Sequence, residues 1–234
     1  MATDKFVIIM AAGRGTRMGG EVPKQFMEID GKAILHHTVE KFERALPDAR
    51  IVVVLAANCI QLWKDYCFLH NLDIPQILVE GGFTRFHSVK NAMAVIPENA
   101  LVAVHDGVRP LLSISLIQRM FKEASEMEEE ALIPVLPSVD TLTALQKDGE
   151  GHLSAIPDVK VDRNKIFAVQ TPQLFKSSAI KQAYDVPYKE EFTDDASVLE
   201  NKGGKVRYCE GERFNLKITR PDDFKLASVL MKTI

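Results

Sequence analysis

Along the first part of the chain, short apolar runs alternate with stretches in which apolar residues recur at helical spacing. Short apolar runs bounded by turn residues predict buried strands, and the helical period predicts amphipathic helices. The predicted strands are 6–10, 51–55, 77–79, 101–104 and 132–136, of which the last contains Pro134, a residue that strands disfavour. The predicted helices are 33–46, 60–70 with Trp63 in the core, 89–96 ended by Pro97, and 114–124.

This alternation predicts an α/β fold. Strands that alternate with helices form right-handed βαβ units, so we expect a Rossmann-like, mostly parallel central sheet with helices on both faces. Such sheets bind ligands at the carboxyl ends of their strands. The loops after Met10, Val79 and Val104 are therefore the places to look for chemistry.

Residues 139 to about 168 interrupt this alternation of strands and helices. Two short alternating segments, 141–145 and 152–156, flank the turn sequence 147–151, and together they predict a β-hairpin with one exposed face. The hairpin could be an ordinary surface feature or a projecting arm that packs on another subunit, and spacing alone leaves both interpretations open. Helices are expected near 176–184, 194–201 and 221–232.

Composition narrows the class of protein. The chain has 234 residues, of which 46% are hydrophobic and 26% charged, as expected for one folded domain over residues 1–234 with a β-arm at about 139–162. The formal net charge is −3, whereas a nonspecific nucleic-acid binder usually carries an excess of basic residues. We therefore expect no nucleic-acid partner.

The cysteines and the apolar runs indicate the cellular compartment of the protein. The three cysteines, Cys59, Cys67 and Cys209, are scattered and none forms a C-x-x-C, so we expect free thiols in a reducing compartment. The longest apolar runs, 6–12 and 51–57, are much shorter than the roughly 20 residues of a membrane span. The sequence therefore predicts a cytoplasmic protein with no membrane partner.

A glycine-rich loop follows the first strand. Residues 11–20 read Ala-Ala-Gly-Arg-Gly-Thr-Arg-Met-Gly-Gly, and backbone amides in such a loop can face phosphate groups. Arg14, Arg17 and Lys24 add positive charge nearby. The glycine spacing does not fit the dinucleotide fingerprint, and Glu21 stands where a P-loop needs lysine. A glycine-rich connection with solvated charges is the alternative interpretation.

Further motifs follow this loop in order. They are Pro23-Lys24-Gln25, Gly81-Gly-x-x-Arg85-x-x-Ser88, His105-Asp106-x-x-Arg109-Pro, Asp140-Thr141, Val161-Asp-Arg163, Thr171-Pro-Gln173, Thr193-Asp-Asp-Ala-Ser197 and Asn215-Leu-Lys217-Ile-Thr219-Arg-Pro. The series resembles nucleotidyltransferases that activate sugar and polyol phosphates. Within these it is similar to the 2-C-methyl-D-erythritol 4-phosphate cytidylyltransferases of the non-mevalonate isoprenoid pathway, nearly end to end.

The resemblance implies an enzyme that transfers CMP from CTP to 2-C-methyl-D-erythritol 4-phosphate with Mg²⁺, giving 4-diphosphocytidyl-2-C-methyl-D-erythritol and pyrophosphate. It implies that Arg17 and Lys24 cradle the CTP phosphates. Gly82 and Ser88 would face the cytosine, and Asp106 would touch the substrate and help to hold Mg²⁺. The remaining residues that it assigns to CTP binding are Ala11, Ala12 and Gly13.

On the acceptor side, the resemblance implies that Arg163, Lys217 and Thr141 bind the polyol phosphate, with Thr171 beside them. The planar fork of an arginine suits phosphate oxygens. Lys217 falls in a segment, 216–218, that the pattern predicts as a short strand. In the family the hairpin arm crosses into the partner of a symmetric homodimer, so each site would combine Lys24 of one chain with Arg163 of the other.

Two alternatives remain beside this function. Gly107 and Val108 stand where many family members have two alanines, a departure shared with ribitol-5-phosphate cytidylyltransferases. The other alternative is a non-catalytic nucleotide-binding protein on the same fold. Phe83 and Phe86 also depart from the small or polar residues and the glutamine that are common in the family.

Overall fold

Buried apolar strands form the centre of the molecule, as seen in a computed structural model that describes residues 3–13 and 22–233. The strands are β1 Asp4–Ala11, β2 Glu28–Ile29, β3 Lys32–Ala33, β4 Arg50–Leu55, β5 Gln76–Glu80, β6 Ala100–Asp106, β7 Ala131–Pro137, β8 Leu145–Lys147, β9 Leu153–Ala155, β10 Phe167–Val169, β11 Gln173–Lys176 and β12 Val206–Glu210. The helices are α1 Ile34–Ala45, α2 Ala57–Leu69, α3 Arg85–Met93, α4 Ile114–Glu126, α5 Ser177–Ala183, α6 Asp195–Asn201 and α7 Pro221–Met231.

The predicted parallel sheet is confirmed in its first half. β6, β1, β4 and β5 lie side by side and run parallel, so their carboxyl ends meet at one edge. Alternate residues of β1 enter two separate clusters, one with α1, α2 and α4 and one with α3, α5 and α6. Helices therefore cover both faces, as the alternation of strands and helices predicted.

The second half of the sheet contains strands that the sequence pattern did not predict. β11 runs antiparallel between β6 and β7, and β10 and β12 also pair with β7. These segments are short, and half or more of the residues in β10 and β12 are exposed, so pairing with β7 rather than their own pattern makes them strands. Pro134 lies between the stretches of β7 that pair with β11 and β10, so its missing N–H costs no ladder bond.

The hairpin predicted within 139–162 is present, but its first strand is shifted. It lies at Leu145–Lys147 instead of 141–145, because Asp148 folds the turn by accepting the N–H groups of Glu150 and His152 at 3.0 and 2.8 Å. The prediction of one exposed face is wrong, since every residue of β8 and β9 is exposed. In a single chain the hairpin therefore buries neither face.

The chain after β12 returns to the edge where the parallel strands end. The predicted strand at 216–218 is wrong: among the described residues this segment forms no strand and pairs with none. It is held instead by the Ile218 N–H, which donates to the Val108 carbonyl at 3.0 Å, and by packing of Ile218 against α7. This places Lys217 beside the end of β6.

The three cysteines are free thiols, as predicted. In the part of the chain that the structure describes, no helix combines the length and apolar character needed to cross a bilayer.

Candidate active site

A cleft of about 1370 Å³ opens where the parallel strands end. Its walls come from the three loops in which the sequence predicted chemistry, after β1, β5 and β6, together with the 217–219 segment. The predicted residues that line it are Ala11, Ala12, Gly13, Lys24, Gly82, Ser88, Asp106 and Lys217. Arg17 lies outside the described residues.

Lys24 lies on a short 3-10 turn, Lys24–Phe26, that is fastened to the end of β1. The buried Gln25 side chain donates from Nε2 to the Ala11 carbonyl at 2.8 Å. Lys24 itself donates from Nζ to the Ile218 carbonyl at 3.2 Å. The Pro23-Lys24-Gln25 motif therefore sets an ammonium group at the cleft wall, close to the segment that carries Lys217.

The loop between β5 and α3 approaches β1 closely because it contains glycine. A Cβ atom at Gly81 would lie 2.5 Å from the Ala12 Cβ, so a larger residue would push the loop away from the first strand. The Ser88 hydroxyl accepts the Gly82 N–H at 3.0 Å and donates to the Thr84 carbonyl at 2.9 Å. Ser88 is thus occupied in shaping the loop that presents Gly82 to the cleft.

Asp106 stands at the centre of a cluster of cations. Its Oδ2 lies 3.0 Å from Arg109 Nε and 3.1 Å from Lys217 Nζ, and its Oδ1 lies 4.0 Å from Arg85 Nη2. The residue is only 6% exposed. Burial by itself would raise the pKa of Asp106, but Arg85, Lys217 and Arg109 outweigh it and hold that pKa well below its usual range. Asp106 therefore stays ionised, and its carboxylate orients three positive groups.

Behind Asp106 lies a neutral histidine. Burial lowers the pKa of His105 to about 3. With a neutral ring, Nε2–H donates to the Arg109 carbonyl at 3.3 Å, and Nδ1 accepts from the Thr171 hydroxyl at 3.1 Å. The same hydroxyl accepts the Asp106 N–H at 3.1 Å. Thr171, which was placed on the acceptor side, is buried and is absent from the residues that line the cleft, so in this chain it supports the end of β6.

The remaining acceptor residues are not brought to the cleft of the same chain. Thr141 and Arg163 are both exposed on the arm, and Arg163 begins a short 3-10 turn, Arg163–Lys165, that contains no buried residue. Neither is among the residues that line the cleft. A single chain therefore unites the nucleotide-side residues with Lys217 and leaves the two arm residues outside.

Arg85 and Arg109 are functional candidates that we did not assign from the sequence. Both lie inside motifs on which the resemblance rests, Gly81-Gly-x-x-Arg85 and His105-Asp106-x-x-Arg109. Their place in these motifs could have identified them as candidates from the sequence. Arg109 also donates from Nη1 to the Asn215 carbonyl at 2.8 Å. Asn215 is buried and donates to the Thr171 carbonyl at 2.8 Å, so these bonds tie the Lys217 segment to β6.

The surroundings of Asp106 do not fit a magnesium ion. Mg²⁺ is held by carboxylates and other oxygen donors. Here one carboxylate oxygen contacts two cations and the other faces a third, so a divalent cation would be repelled. Among the described residues there is also no group of three or more acidic, histidine or cysteine side chains that could hold a metal.

A sheet with a cationic cluster at its strand-end cleft suits the binding of phosphate groups, and the family match makes the chain a nucleotidyltransferase with an α/β fold. The model of the 2-C-methyl-D-erythritol 4-phosphate cytidylyltransferase family matches residues 5–233, and this chain belongs to that family.

Relatives of that name align along nearly their whole length. One from Bacteroides thetaiotaomicron is 41% identical over 225 residues, which cover 96% of this chain and 98% of the relative. One from Porphyromonas gingivalis is 39% identical and covers 99% of each chain. The crystal structure of 2-C-methyl-D-erythritol 4-phosphate cytidylyltransferase from Francisella tularensis has a TM-score of 0.78 at 30% identity, covering 97% of this chain and 99% of that one.

Proposed function

We propose that this chain transfers a cytidylyl group from CTP to 2-C-methyl-D-erythritol 4-phosphate and releases pyrophosphate. The observation that carries the proposal is the set of cations, Arg85, Arg109 and Lys217, oriented by Asp106 at the strand-end cleft of a chain of this family. Relatives aligned over almost their full length are named for this reaction.

The reaction needs alignment and charge neutralisation. An oxygen of the acceptor phosphate attacks the α-phosphorus of CTP, a new P–O bond forms, and the bond to the oxygen that bridges to the β-phosphate breaks. Pyrophosphate leaves with that electron pair. A phosphate monoester has a second pKa of about 6 and is largely ionised at neutral pH, so no general base is required. Preorganised cations can offset the repulsion between the two anions and stabilise the charge of the transition state.

Lys24 and Lys217 suit the two ends of this displacement. Lys24 is held beside the end of β1 by the bond of Gln25 to Ala11, and the family resemblance assigns Lys24 to the CTP phosphates. Lys217 is held by Asp106 at the end of β6, and the Lys24 ammonium group bonds to the carbonyl of the next residue, Ile218. Two ammonium groups so placed can hold the reacting phosphates next to each other, and following the resemblance we assign Lys24 to the triphosphate and Lys217 to the incoming phosphate.

Ribitol 5-phosphate is the rival acceptor, and Gly107 and Val108 were the sequence features that kept it open. A Cβ atom at Gly107 would lie 3.0 Å from the Met10 carbonyl oxygen and 3.2 Å from side-chain atoms of Ile9 and Leu35. Tight packing under the end of β6 accounts for this glycine. The departure therefore favours neither acceptor.

We further infer that a second copy of the chain completes the acceptor end of the site. Arg163 and Thr141 lie off the cleft of their own chain, and the hairpin exposes both faces. Exposed apolar side chains gather on and beside the arm, which is typical of a surface that another chain covers. They are Val139, Leu142, Leu145, Leu153, Ile156, Val159, Ile166, Phe167 and Val169. In a symmetric homodimer with exchanged arms, each cleft would receive Arg163 from its partner.

The experiment that tests the function is pyrophosphate release with CTP and each polyol phosphate in turn. We expect kcat/KM for 2-C-methyl-D-erythritol 4-phosphate to exceed that for ribitol 5-phosphate by ~10-fold or more, because a site built for one set of hydroxyl groups leaves polar groups unpaired with the other. The reverse preference would assign the ribitol reaction. CTP binding without pyrophosphate release from either acceptor would leave a nucleotide-binding protein that is not catalytic.

The requirement for Mg²⁺ and a cytoplasmic location stay predictions. Dialysis against EDTA, followed by assays with and without added Mg²⁺, tests the first. Since the described residues do not fit the ion at Asp106, no catalytic step is assigned to a metal held by this carboxylate.

A further inference from the structure

A chain of buried charges runs from the cleft into the protein behind it. Arg85 Nη1 donates to Asp195 Oδ1, and the Tyr184 hydroxyl donates to the same oxygen at 2.6 Å. The other nitrogen, Arg85 Nη2, faces Asp106 Oδ1 at 4.0 Å. One guanidinium group thus links a carboxylate in the interior with the carboxylate that organises the cleft.

The inner end of this chain is fully buried. Asp195 has an exposure of 0%, and among the described residues its Oδ2 has no hydrogen-bond partner. A buried carboxylate without a cation is strongly unfavourable. Arg85 is the cation in contact with Asp195 in the described part of the chain, so Asp195 fixes the guanidinium group firmly in place.

The two oxygens of Asp106 have different partners. Oδ1 faces Arg85, while Oδ2 holds Arg109 and Lys217 at 3.0 and 3.1 Å. Because Asp195 holds Arg85 in hydrogen-bond contact, Arg85 stays 4.0 Å from Asp106 and does not form a close pair with it. Oδ2 meanwhile accepts from Arg109 and lies against the Lys217 ammonium group.

We propose that Arg85 is a positioning residue which, anchored by Asp195 and Tyr184, sets the orientation of the Asp106 carboxylate and through it the position of the Lys217 ammonium group. The kinetic part of this inference rests on the proposed function. If it is correct, weakening the anchor misplaces the group that meets the acceptor phosphate and leaves the nucleotide side intact.

The first test uses Arg85→Lys, which keeps the charge but lacks the planar fork that reaches both carboxylates. We expect kcat/KM for the polyol phosphate to fall ~10- to 100-fold, as misplacement of a reacting group by about 1 Å can do. The Kd for CTP from isothermal titration should change less than ~3-fold. Arg207→Lys is the matched control, because Arg207 pairs with Glu129 at 2.9 Å, is not among the residues that line the cleft and should change neither quantity.

Coupling to Lys217 separates positioning from direct contact. In a Lys217→Gln background the group to be positioned is gone, so Arg85→Lys should reduce the remaining kcat/KM by less than ~3-fold. Losses that multiply in the double variant would mean that Arg85 contacts a substrate itself and would overturn the proposal. An equal loss of CTP affinity in Arg85→Lys would overturn it too.

A measurement on the free protein keeps the inference separate from the proposed function. With ¹³C-labelled lysine, the Cε signal of Lys217 should shift in Asp195→Asn and stay in place in Arg207→Lys. Tyr184→Phe, which removes only one hydrogen bond to Asp195, should give a smaller shift and serves if Asp195→Asn does not fold. An unchanged Lys217 signal in folded anchor variants would overturn the proposal even if the enzyme used another acceptor. A wild-type enzyme without turnover would instead contradict the proposed function alone.

Discussion

The charged residues at the cleft are held by partners within their own chain, whereas the residues assigned to function on and beside the arm are exposed. Asp106 is 6% exposed and contacts three cations, and Lys24 is held to the Ile218 carbonyl. Arg163 and Thr141 are exposed on a segment whose hairpin buries neither face. The cleft is thus preorganised by folding of one chain, and the arm acquires an equivalent environment only by meeting another surface.

The largest effect should come from removing a cation of the cleft. Lys24→Ala should lower kcat by ~100-fold or more, because it removes a preorganised charge from the transition state. Steady-state pyrophosphate release measures this, and thermal unfolding checks that the variant folds. Lys122→Ala, an exposed lysine on α4, is the control. A near-normal kcat in Lys24→Ala would contradict the role given to Lys24.

A subunit-mixing experiment tests whether the arm belongs to the cleft of another copy. Lys24→Ala and Arg163→Ala should each be nearly inactive, and random exchange should make half of the dimers heterodimers, each with one site free of both changes. About a quarter of wild-type activity should then return, on the symmetry argument. Lys147→Ala, an exposed lysine on β8, should remain active in every mixture.

The same mixture can contradict arm exchange. If Lys24 and Arg163 acted in the same chain's site, every site would carry a lesion and activity would stay near zero. Differently tagged subunits, captured through one tag and probed for the other, establish that exchange has taken place.

The contrast between cleft and arm also explains how much the sequence could predict. The parallel strands and their helices follow from local patterns, and topology then places the ends of β1, β5 and β6 at one edge. The glycine-rich loop, Lys24 and Asp106 could be placed there because strand ends converge. Those predictions needed no knowledge of long-range contacts.

The predictions that failed depended on such contacts. β10 and β12 are strands because β7 lies beside them, and the segment 216–218 forms no strand but is held by the bond of Ile218 to Val108. The assignment of Thr171 to the substrate stays a prediction; in the single chain its hydroxyl accepts the Asp106 N–H and donates to His105. A motif identifies residues that act together, but only the tertiary contacts separate those that face the cleft from those that support it.

The buried His105 behind the cleft should make the free energy of unfolding depend on pH. Burial lowers its pKa to about 3, whereas an unfolded histidine has a pKa of about 6.5. The unfolded chain therefore binds a proton that the folded chain does not, so the contribution of His105 is complete above pH 6.5 and is lost as the pH falls toward 3. Between pH 7.5 and 5 this loss should be about 2 kcal/mol.

Urea unfolding at pH 7.5 and at pH 5 measures this loss of unfolding free energy. In His105→Gln the decrease in unfolding free energy over this range should be smaller by about 2 kcal/mol. His152→Gln, at an exposed site on the arm, is the matched control and should show the wild-type decrease. Asp106 adds little in this range, since a carboxylate with an unfolded pKa of about 3.9 is ionised in both states. An unchanged pH dependence in His105→Gln would contradict the buried neutral ring.

Phe83 lines the cleft and is as exposed as the residues of the arm. Its side chain is 102% exposed, and it lines the cleft next to Gly82, which the resemblance assigns to the cytosine. An aromatic ring at such a place can stack on a pyrimidine, and stacking of this kind contributes ~1–3 kcal/mol per base.

Phe83→Ala should therefore raise the Kd for CTP ~5- to 10-fold without changing kcat at saturation, while Phe83→Tyr should bind as the wild type does. Isothermal titration measures this, with Phe68→Ala as the control, because the Phe68 ring is 84% exposed on α2 and is not among the residues that line the cleft. Equal CTP affinity in Phe83→Ala and the wild type would show that the preorganised part of the cleft ends at Gly82.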